Sequence, residues 1–307
     1  MDRDHEITYN KCKFVSFNCK NFKTSIEDVR KLCRSATLVC LQETWLLNHD
    51  LPLLGTVSAD FEYIGKSSVD SGELLVGRPY GGVAILWRKG IFDSVSVINC
   101  NSDRLVAIKA TIGGRSVLVF CVYMPVKARE NLPIFTDILS EISSIEEGSG
   151  VQSVIILGDL NAQPGQLFFT ELNSFCTDRS WLCTDVEFLG IDSDTFTYFD
   201  AFHRRGSWLD HSIVSQAAWQ STVNIGIIED IFVSDHLPIF IECNLGSISP
   251  TAAFQNAPRS AVIWGERDEA QINKYRVLCN KGLRDIDFPS EFETCSFRPC
   301  TLSDHKL

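Results

Sequence analysis

Short apolar runs alternate with polar turns along most of the chain, and these runs have the length and composition of β-strands. Val154–Leu157, for example, has three β-branched residues and is followed at once by Gly158 and Asp159. Together the runs predict about ten strands. The strands are drawn from Lys13–Asn18, Thr37–Leu41, Phe61–Ile64, Gly81–Trp87, Val95–Ile98, Leu105–Ala110, Ser116–Tyr123, Val154–Leu157, Thr195–Phe199, Trp208–Val214, Val223–Ile228 and Pro238–Cys243.

A few segments have the pattern of helices instead. Ser25–Cys33 and Leu132–Ile145 repeat apolar residues at helical spacing, and Leu167–Phe175 is predicted as a short helix. Several strands follow one another as hairpins, as at the turn Ile112–Arg115. This mixture favours an α+β fold of two packed mixed sheets with helices outside over a doubly wound parallel sheet.

The pattern changes after residue 246. Gly246–Pro258 is rich in Ser, Pro, Ala, Gln and Asn and has no periodicity, so we place a domain boundary there. We predict one domain over residues 1–246 and a linker with a helical extension over 247–307. In that extension Asp268–Leu283 is predicted as a helix without a core of its own. Cys295, Cys300 and His305 form an incomplete zinc spacing, which is weak evidence for a metal site.

Charge limits the possible functions. The chain of 307 residues has a net charge of −11, which argues against a bulk electrostatic nucleic-acid binder. An enzyme that binds phosphate through a metal ion can still be acidic, because its carboxylates bind the cation. The N-terminus has no apolar signal segment, no stretch is long enough for a membrane span, and the cysteines form no CxxC motif. We therefore expect an intracellular protein.

Polar side chains recur where the apolar runs end. These residues are Asn18, Glu43, Tyr123, Asp159, Asn161, Asp210, Asp235 and His236. One such ending is ordinary turn chemistry, and strand-Gly-Asp-X-Asn alone is as compatible with a plain turn as with a site. Strands that share one edge of packed sheets would bring the whole set together. Carboxylates for a cation, a histidine for developing charge and a base for water would then lie side by side.

The order of these motifs resembles that of a known family. FNCKN, LQET, VYMP, GDLNAQPG, SWLDHS and SDHLP follow one another over residues 17–238, as in the endonuclease/exonuclease/phosphatase superfamily that includes DNase I, exonuclease III and the apurinic endonucleases. Residues 77–84 and Trp208–His211 are similar to the endonuclease domains of non-LTR (LINE-type) retrotransposons. Trp264 and Asn273–Arg276 resemble the linker before their reverse transcriptase. The resemblance implies a DNase I-like four-layer sandwich.

The resemblance also implies a metal site. Glu43 matches the main metal ligand of the family, with Asn18 and Asp235 near the same position. The implied cation is Mg²⁺, with Mn²⁺ as an alternative, and it would neutralise the scissile phosphate and the leaving 3′-oxygen.

The catalytic roles follow from the same resemblance. Asp159 would activate or orient the attacking water, and Asn161 and Tyr123 would donate to phosphoryl oxygens. His236, held in place by Asp210, would stabilise the developing charge. The neighbouring His211 is a rival candidate to Asp210 as a residue of the site.

Contacts with DNA are the least specific part of the prediction. Thr197 matches a family position near the DNA backbone. Arg204 and Arg205 either contact DNA phosphates or belong to a solvated turn, and the turn is the simpler interpretation.

We therefore predict a metal-dependent endonuclease that nicks one strand of duplex DNA and leaves a 3′-hydroxyl and a 5′-phosphate, to prime reverse transcription. Duplex DNA is the expected partner, with a reverse transcriptase domain outside this chain, no membrane partner and a nuclear location inferred from the substrate. The alternatives are repair at abasic sites, a lipid phosphodiesterase and an inactive binding module. Oligomeric state and target sequence stay open.

Overall fold

The computed structural model of the protein describes residues 11–69 and 77–245, together with Asn273 and Val277. The chain divides into two compact units, Met1–Asn256 and Ala257–Leu307. Asn273 and Val277 are helical and exposed. The predicted boundary after residue 246, the rest of the predicted helix and the Cys295–Cys300–His305 spacing lie outside the described residues. Among those that are described, no helix is apolar and long enough to traverse a bilayer.

Strands and helices follow the predicted order closely. The strands in the described ranges are β1 (Lys11–Asn18), β2 (Leu38–Gln42), β3 (Phe61–Lys66), β4 (Val83–Arg88), β5 (Ser94–Ile98), β6 (Leu105–Ile112), β7 (Arg115–Tyr123), β8 (Ser153–Asp159), β9 (Trp181–Cys183), β10 (Tyr198–Asp200), β11 (Arg205–Ser207), β12 (Asp210–Ser215), β13 (Thr222–Ile227) and β14 (Ile239–Asn244). The α-helices there are α1 (Phe22–Ser35), α2 (Leu132–Ser149), α3 (Leu167–Arg179), α4 (Thr184–Leu189) and α5 (Gln216–Trp219). Short 3₁₀ helices cover Asn48–Thr56 and Arg129–Asn131.

Two mixed six-stranded sheets form the centre of the fold. The first has the strand order β13-β14-β1-β2-β4-β3, and the second has the order β5-β6-β7-β8-β12-β9. Each contains one parallel pair, β1 with β2 and β7 with β8. Parallel neighbours need a crossover connection, and here α1 and α2 provide it. The remaining pairs are antiparallel, and some of them, such as β5 with β6 and β6 with β7, join consecutive strands as hairpins.

The two sheets pack face to face, and the alternation of side chains along the strands explains how. In β1 Phe14 points between the sheets, whereas Val15 and Phe17 point to the outer side, where they pack with α1. In β8 Leu157 faces the first sheet, whereas Ile156 packs against α2 and α3. The result is four layers, helix–sheet–sheet–helix. The predicted α+β sandwich is confirmed.

Two predicted strands begin later in the structure than the sequence pattern indicates. The strand predicted from Gly81 begins at Val83, because Gly81 and Gly82 have φ values of 60° and 85°, which are left-handed. A Cβ atom on Gly82 would lie 2.5 Å from Oγ1 of Thr44. The strand predicted over 195–199 begins only at Tyr198, and it pairs with β11 in a separate two-stranded ribbon.

Replacing Phe14 with Ala tests the inter-sheet core. The side chain is fully buried between the sheets, so its loss leaves a cavity that should lower the free energy of unfolding by about 3–5 kcal/mol. Val97, which is 53% exposed on an edge strand, is the control, and V97A should change that free energy by less than about 0.5 kcal/mol. Urea unfolding followed by circular dichroism measures both, and equal losses would contradict the assigned core.

Candidate active site

Strand register places three of the predicted residues side by side. Tyr123 at the end of β7 pairs with Asp159 at the end of β8, and Asp159 pairs with Asp210 at the start of β12. Directly paired residues of neighbouring strands present their side chains on the same face of a sheet. The second sheet therefore brings a phenol and two carboxylates to one edge.

The first sheet contributes Asn18, at the end of β1. Its side chain is fully buried, and its Nδ2 donates to Oδ2 of Asp159 at 2.9 Å and to Oε1 of Glu43 at 3.0 Å. One amide group thus joins two carboxylates and links the two sheets.

Glu43 follows β2 in a backbone conformation that few residues adopt. Its φ is 51° and that of Trp45 is 52°, and the N–H groups of Thr44 and Trp45 donate to the carbonyls of Gly82 and Gly81. The glycine pair therefore supports this turn. The turn directs the Glu43 carboxylate toward the hydroxyl of Tyr123, which donates to Oε1 at 3.1 Å, and toward Nε1 of Trp45, which donates to Oε2 at 3.0 Å.

His236 lies against Asp210, and both are buried. The distance from Nδ1 of His236 to Oδ2 of Asp210 is 2.7 Å, and Nε2 lies 3.8 Å from Oδ2 of Asp159. Ser234 holds this segment in place, because its hydroxyl donates to the carbonyl of Asn18 and accepts from the backbone N–H of His236. The ring of Tyr198 packs on the imidazole with centroids 4.9 Å apart.

Burial and charge together set the protonation of this cluster. Burial raises the pKa of Asp159 to about 7, against the lowering effect of His236. Burial alone would lower the pKa of His236, but the carboxylates of Asp210 and Asp159 outweigh it and raise that pKa to about 9. Burial, with Glu43 and Asp159, raises the pKa of Tyr123 far above its usual range, so its hydroxyl stays a donor. The cluster contains a base near neutrality beside an imidazolium.

Asn161 lies in the same cluster but is engaged with the backbone. Its φ is 48°, its N–H donates to Oδ1 of Asp159 at 3.0 Å, and its Nδ2 donates to the carbonyl of Met124 at 2.9 Å. The left-handed conformation explains why an asparagine follows the strand here. For Asn161 to donate to a phosphoryl oxygen, as the sequence predicts, its amide must leave Met124 or donate its second hydrogen.

The structure gives Thr197 a different place from the predicted one. Its side chain is 0% exposed, and its hydroxyl accepts hydrogen bonds from the N–H groups of Leu209 and Asp210, both at 3.0 Å. A buried hydroxyl cannot contact the DNA backbone, so Thr197 fixes the start of β12 and hence Asp210. Arg204 and Arg205 are exposed at the turn of the β10–β11 hairpin, which suits both a solvated turn and a phosphate contact.

The residues present fit a hard divalent cation. Glu43, Asp159 and Asp210 supply carboxylate oxygens, the ligand type that Mg²⁺ and Mn²⁺ prefer. Within the described residues, Oδ1 of Asp210 is buried without a hydrogen-bond partner, and ligand atoms of Asp159, Asp210 and His236 lie within 4.8 Å of one another. Asp235, a predicted ligand, is instead paired with Nζ of Lys20 at 2.5 Å.

Several residues that support the site were not predicted. The residues that contact the predicted ones are Trp45, Ser234, Lys20 and Tyr198. Of these, only Lys20 and Ser234 lie within the motifs FNCKN and SDHLP.

A cavity of about 980 Å³ opens beside Asp235, with apolar walls that include Phe196, Phe199, Ile231 and Phe232. His211 does not join the cluster, because its ring nitrogens contact Asp185 and the carbonyl of Ala162.

Comparisons with known proteins show the family of this chain. Residues 15–236 match the family model described as Endonuclease/Exonuclease/phosphatase family. The chain belongs to this family. Curated proteins yield no match to the sequence.

Solved structures of DNA-processing enzymes share the fold of this family member. The AP endonuclease LMAP from Leishmania major has a TM-score of 0.64 at 11% identity, covering 76% of this chain and 88% of that one. An AP endonuclease from Archaeoglobus fulgidus has a TM-score of 0.59 at 16% identity, covering 75% and 98%. The 3′ phosphatase NExo from Neisseria, bound to a product DNA hairpin, has a TM-score of 0.56 at 18% identity, covering 76% and 99%. At these identities the likeness shows the DNase I-like fold.

Replacing Asp210 with Asn tests the charge on His236. In the protein free of divalent cations, an NMR titration should place the pKa of His236 near 9 in the wild type and at least about one unit lower in D210N. Because the folded pKa exceeds the unfolded value of about 6.5, this pair stabilises the wild type fully below pH 6.5. The stabilisation is lost as the pH rises through about 9.

The control for this titration is D50N, which removes a carboxylate paired with Lys23 outside the cluster. It should leave the midpoint of His236 unchanged. A D210N titration identical to the wild type would mean that Asp210 does not stabilise the imidazolium.

Proposed function

We propose that this chain is a divalent-metal-dependent endonuclease that hydrolyses a phosphodiester bond in one strand of duplex DNA. The observation that supports it best is the meeting of Asn18 and Glu43 from the first sheet with Asp159 and Asp210 from the second, beside His236. This set combines ligands for a cation, a base and a cationic donor within one buried edge. Phosphodiester hydrolysis needs all three.

Each side chain has a role that its contacts permit. Asp159, with a pKa near neutrality, accepts the proton of the attacking water. The imidazolium of His236 lies 3.8 Å from Asp159 and stabilises the negative charge that develops on the phosphoryl oxygens. Asp210 holds that imidazole through Nδ1 at 2.7 Å and so points Nε2 toward the reacting group.

Tyr123 completes the donors, because its hydroxyl stays protonated and lies at the Glu43 carboxylate. Glu43, with Asn18 beside it, would hold the cation, whereas Asp235 would first have to leave Lys20. When bound, Mg²⁺ or Mn²⁺ supplies neutralisation of the scissile phosphate and of the leaving 3′-oxygen.

The biological use of the nick is the more specific part of the proposal. The sequence GRPYGGVA at residues 77–84 and the tail at Asn273–Arg276 resemble LINE-type replication proteins, so we propose that the 3′-hydroxyl primes reverse transcription. A nuclear location and a reverse transcriptase domain outside this chain belong to the same proposal. A second candidate is incision at abasic sites, and the fold shared with the AP endonucleases of Leishmania major and Archaeoglobus fulgidus favours it.

A supercoiled-plasmid assay tests the catalytic assignment. With Mg²⁺ or Mn²⁺ the wild type should convert supercoiled to nicked circles, and chelation should abolish the reaction. D159A removes the base and H236A removes the charge-stabilising donor, so each should slow nicking at least about 10²-fold. D192N, which changes an exposed carboxylate outside the cluster, should nick as the wild type does. Equal rates for all four proteins would refute the proposal.

Two substrates separate the candidate biological roles. A nicking endonuclease for priming should cut intact plasmid and leave ends that a DNA polymerase extends directly, because the 3′-hydroxyl is free. A repair enzyme should cut an oligonucleotide with a single abasic site and leave the matched intact duplex uncut. Cleavage confined to the abasic duplex would overturn the priming role, while phosphate release from lipids without DNA cleavage would overturn both.

A further inference from the structure

A second histidine–carboxylate pair lies directly behind the candidate active site. Asp210 and His211 are consecutive residues of β12, so their side chains point to opposite faces of the sheet. Asp210 contacts His236 on the inner face. His211 contacts Asp185, the second residue of α4, on the outer face. β12 therefore joins two histidine–aspartate pairs back to back.

Both nitrogens of His211 have a partner. Nδ1 lies 2.7 Å from Oδ2 of Asp185, and Nε2 lies 2.8 Å from the carbonyl oxygen of Ala162. A carbonyl oxygen can only accept, so Nε2 carries a hydrogen. Asp185 is itself fixed, because its Oδ1 accepts from the backbone N–H of Ser212 at 2.9 Å. The fully buried imidazole packs against the rings of Phe169 and Trp208 and has one orientation.

A metal ion is the competing interpretation of this cluster, since Cys183 lies 3.7 Å from Nδ1 of His211 and completes a group of three possible ligands. The distances argue against it. Two ligand atoms of one tetrahedral zinc lie about 3.3 Å apart, whereas Nδ1 and Oδ2 are at hydrogen-bond distance. The Cys183 thiol also has a hydrogen-bond partner, because its Sγ donates to Oδ1 of Asp185 at 3.4 Å. The contacts are those of a hydrogen-bonded support.

The group that His211 supports belongs to the catalytic segment. Ala162 directly follows Asn161, whose left-handed backbone brings its N–H to Oδ1 of Asp159. The N–H of Leu160 donates to the carbonyl of Leu209, immediately before β12. The segment from Asp159 to Ala162 is therefore held at one end by the active-site carboxylate and at the other by the imidazole of His211.

We propose that His211 is a positioning residue for Asp159 and Asn161, acting through the Ala162 carbonyl, with Asp185 fixing the orientation of its ring. For catalysis this inference rests on the proposed nuclease function. A displacement of about 1 Å in a catalytic group can lower a rate about 10²-fold, so a donor that fixes the backbone after Asp159 affects turnover more than substrate binding.

Two substitutions at this position separate its two hydrogen bonds. In H211N the amide takes the place of Nδ1, so it keeps the contact with Asp185 and loses the donation to Ala162. In H211Q the longer side chain reaches the place of Nε2 and restores that donation. The control is V214A, which leaves a cavity at a buried core position of the same strand and lowers stability without touching the Asp159–Ala162 segment.

In plasmid nicking with Mg²⁺, H211N should lower kcat at least about 10-fold while KM changes less than about 3-fold. H211Q should recover kcat to within about 3-fold of the wild type, and V214A should match the wild type at temperatures where all four proteins are folded. Equal kcat in H211N and V214A would overturn the inference.

A second readout does not need activity. In the protein without DNA, hydrogen exchange of the Asn161 amide should be at least about 10-fold faster in H211N than in the wild type, and unchanged in V214A. If the wild type nicks no DNA, the proposed function fails and this exchange alone decides the inference. Equal exchange in H211N and V214A would overturn it, as would stoichiometric zinc in the purified wild type that H211N lacks.

Discussion

The amide of Asn18 is the contact on which the site depends. Glu43 and Asp159 come from different sheets, and these two carboxylates, one half-buried and the other buried, repel each other and lose part of their hydration. Asn18 donates one hydrogen bond to each of them, so a single neutral side chain offsets both costs. It also crosses the interface between the sheets, which ties the geometry of the cluster to the packing of the Phe14 layer beneath it.

β12 extends this dependence to the outer face of the second sheet. Its first residue, Asp210, orients His236, and its second, His211, contacts the backbone that follows Asp159. Thr197 fixes the start of the strand through the N–H of Asp210. Because consecutive residues of a strand point to opposite faces, one short strand connects the inner Asp210–His236 pair with the outer helical layer. A shift of β12 would therefore move both ends of the Asp159–Ala162 segment.

The sequence predicts well those parts of the molecule that follow from local pattern. The ends of the strands follow from the spacing of apolar residues and from the polar residues after each apolar run. Tyr123, Asp159 and Asp210 lie at such ends and are therefore predicted. The place of Thr197 does not, because burial depends on how the 198–207 ribbon lies on the sheets. The pairing of Asp235 with Lys20 joins positions 215 apart in the chain, and the pairing of His211 with Asp185 depends on which face of β12 meets α4. Such contacts follow from tertiary packing, which no local pattern records.

The acidity of the chain and the chemistry of its site have one physical explanation. The cluster brings Glu43, Asp159 and Asp210 to one edge against the single imidazolium of His236, and a phosphodiester adds further negative charge. Lys20 is already engaged with Asp235, so the cluster as it stands repels the substrate. In the proposed nuclease, a divalent cation held by the carboxylates would reverse that repulsion and would polarise the scissile phosphate at the same time. An acidic protein can act as a nuclease only when such a cation is bound. We therefore expect removal of the cation by a chelator to inhibit this chain more strongly than high salt does.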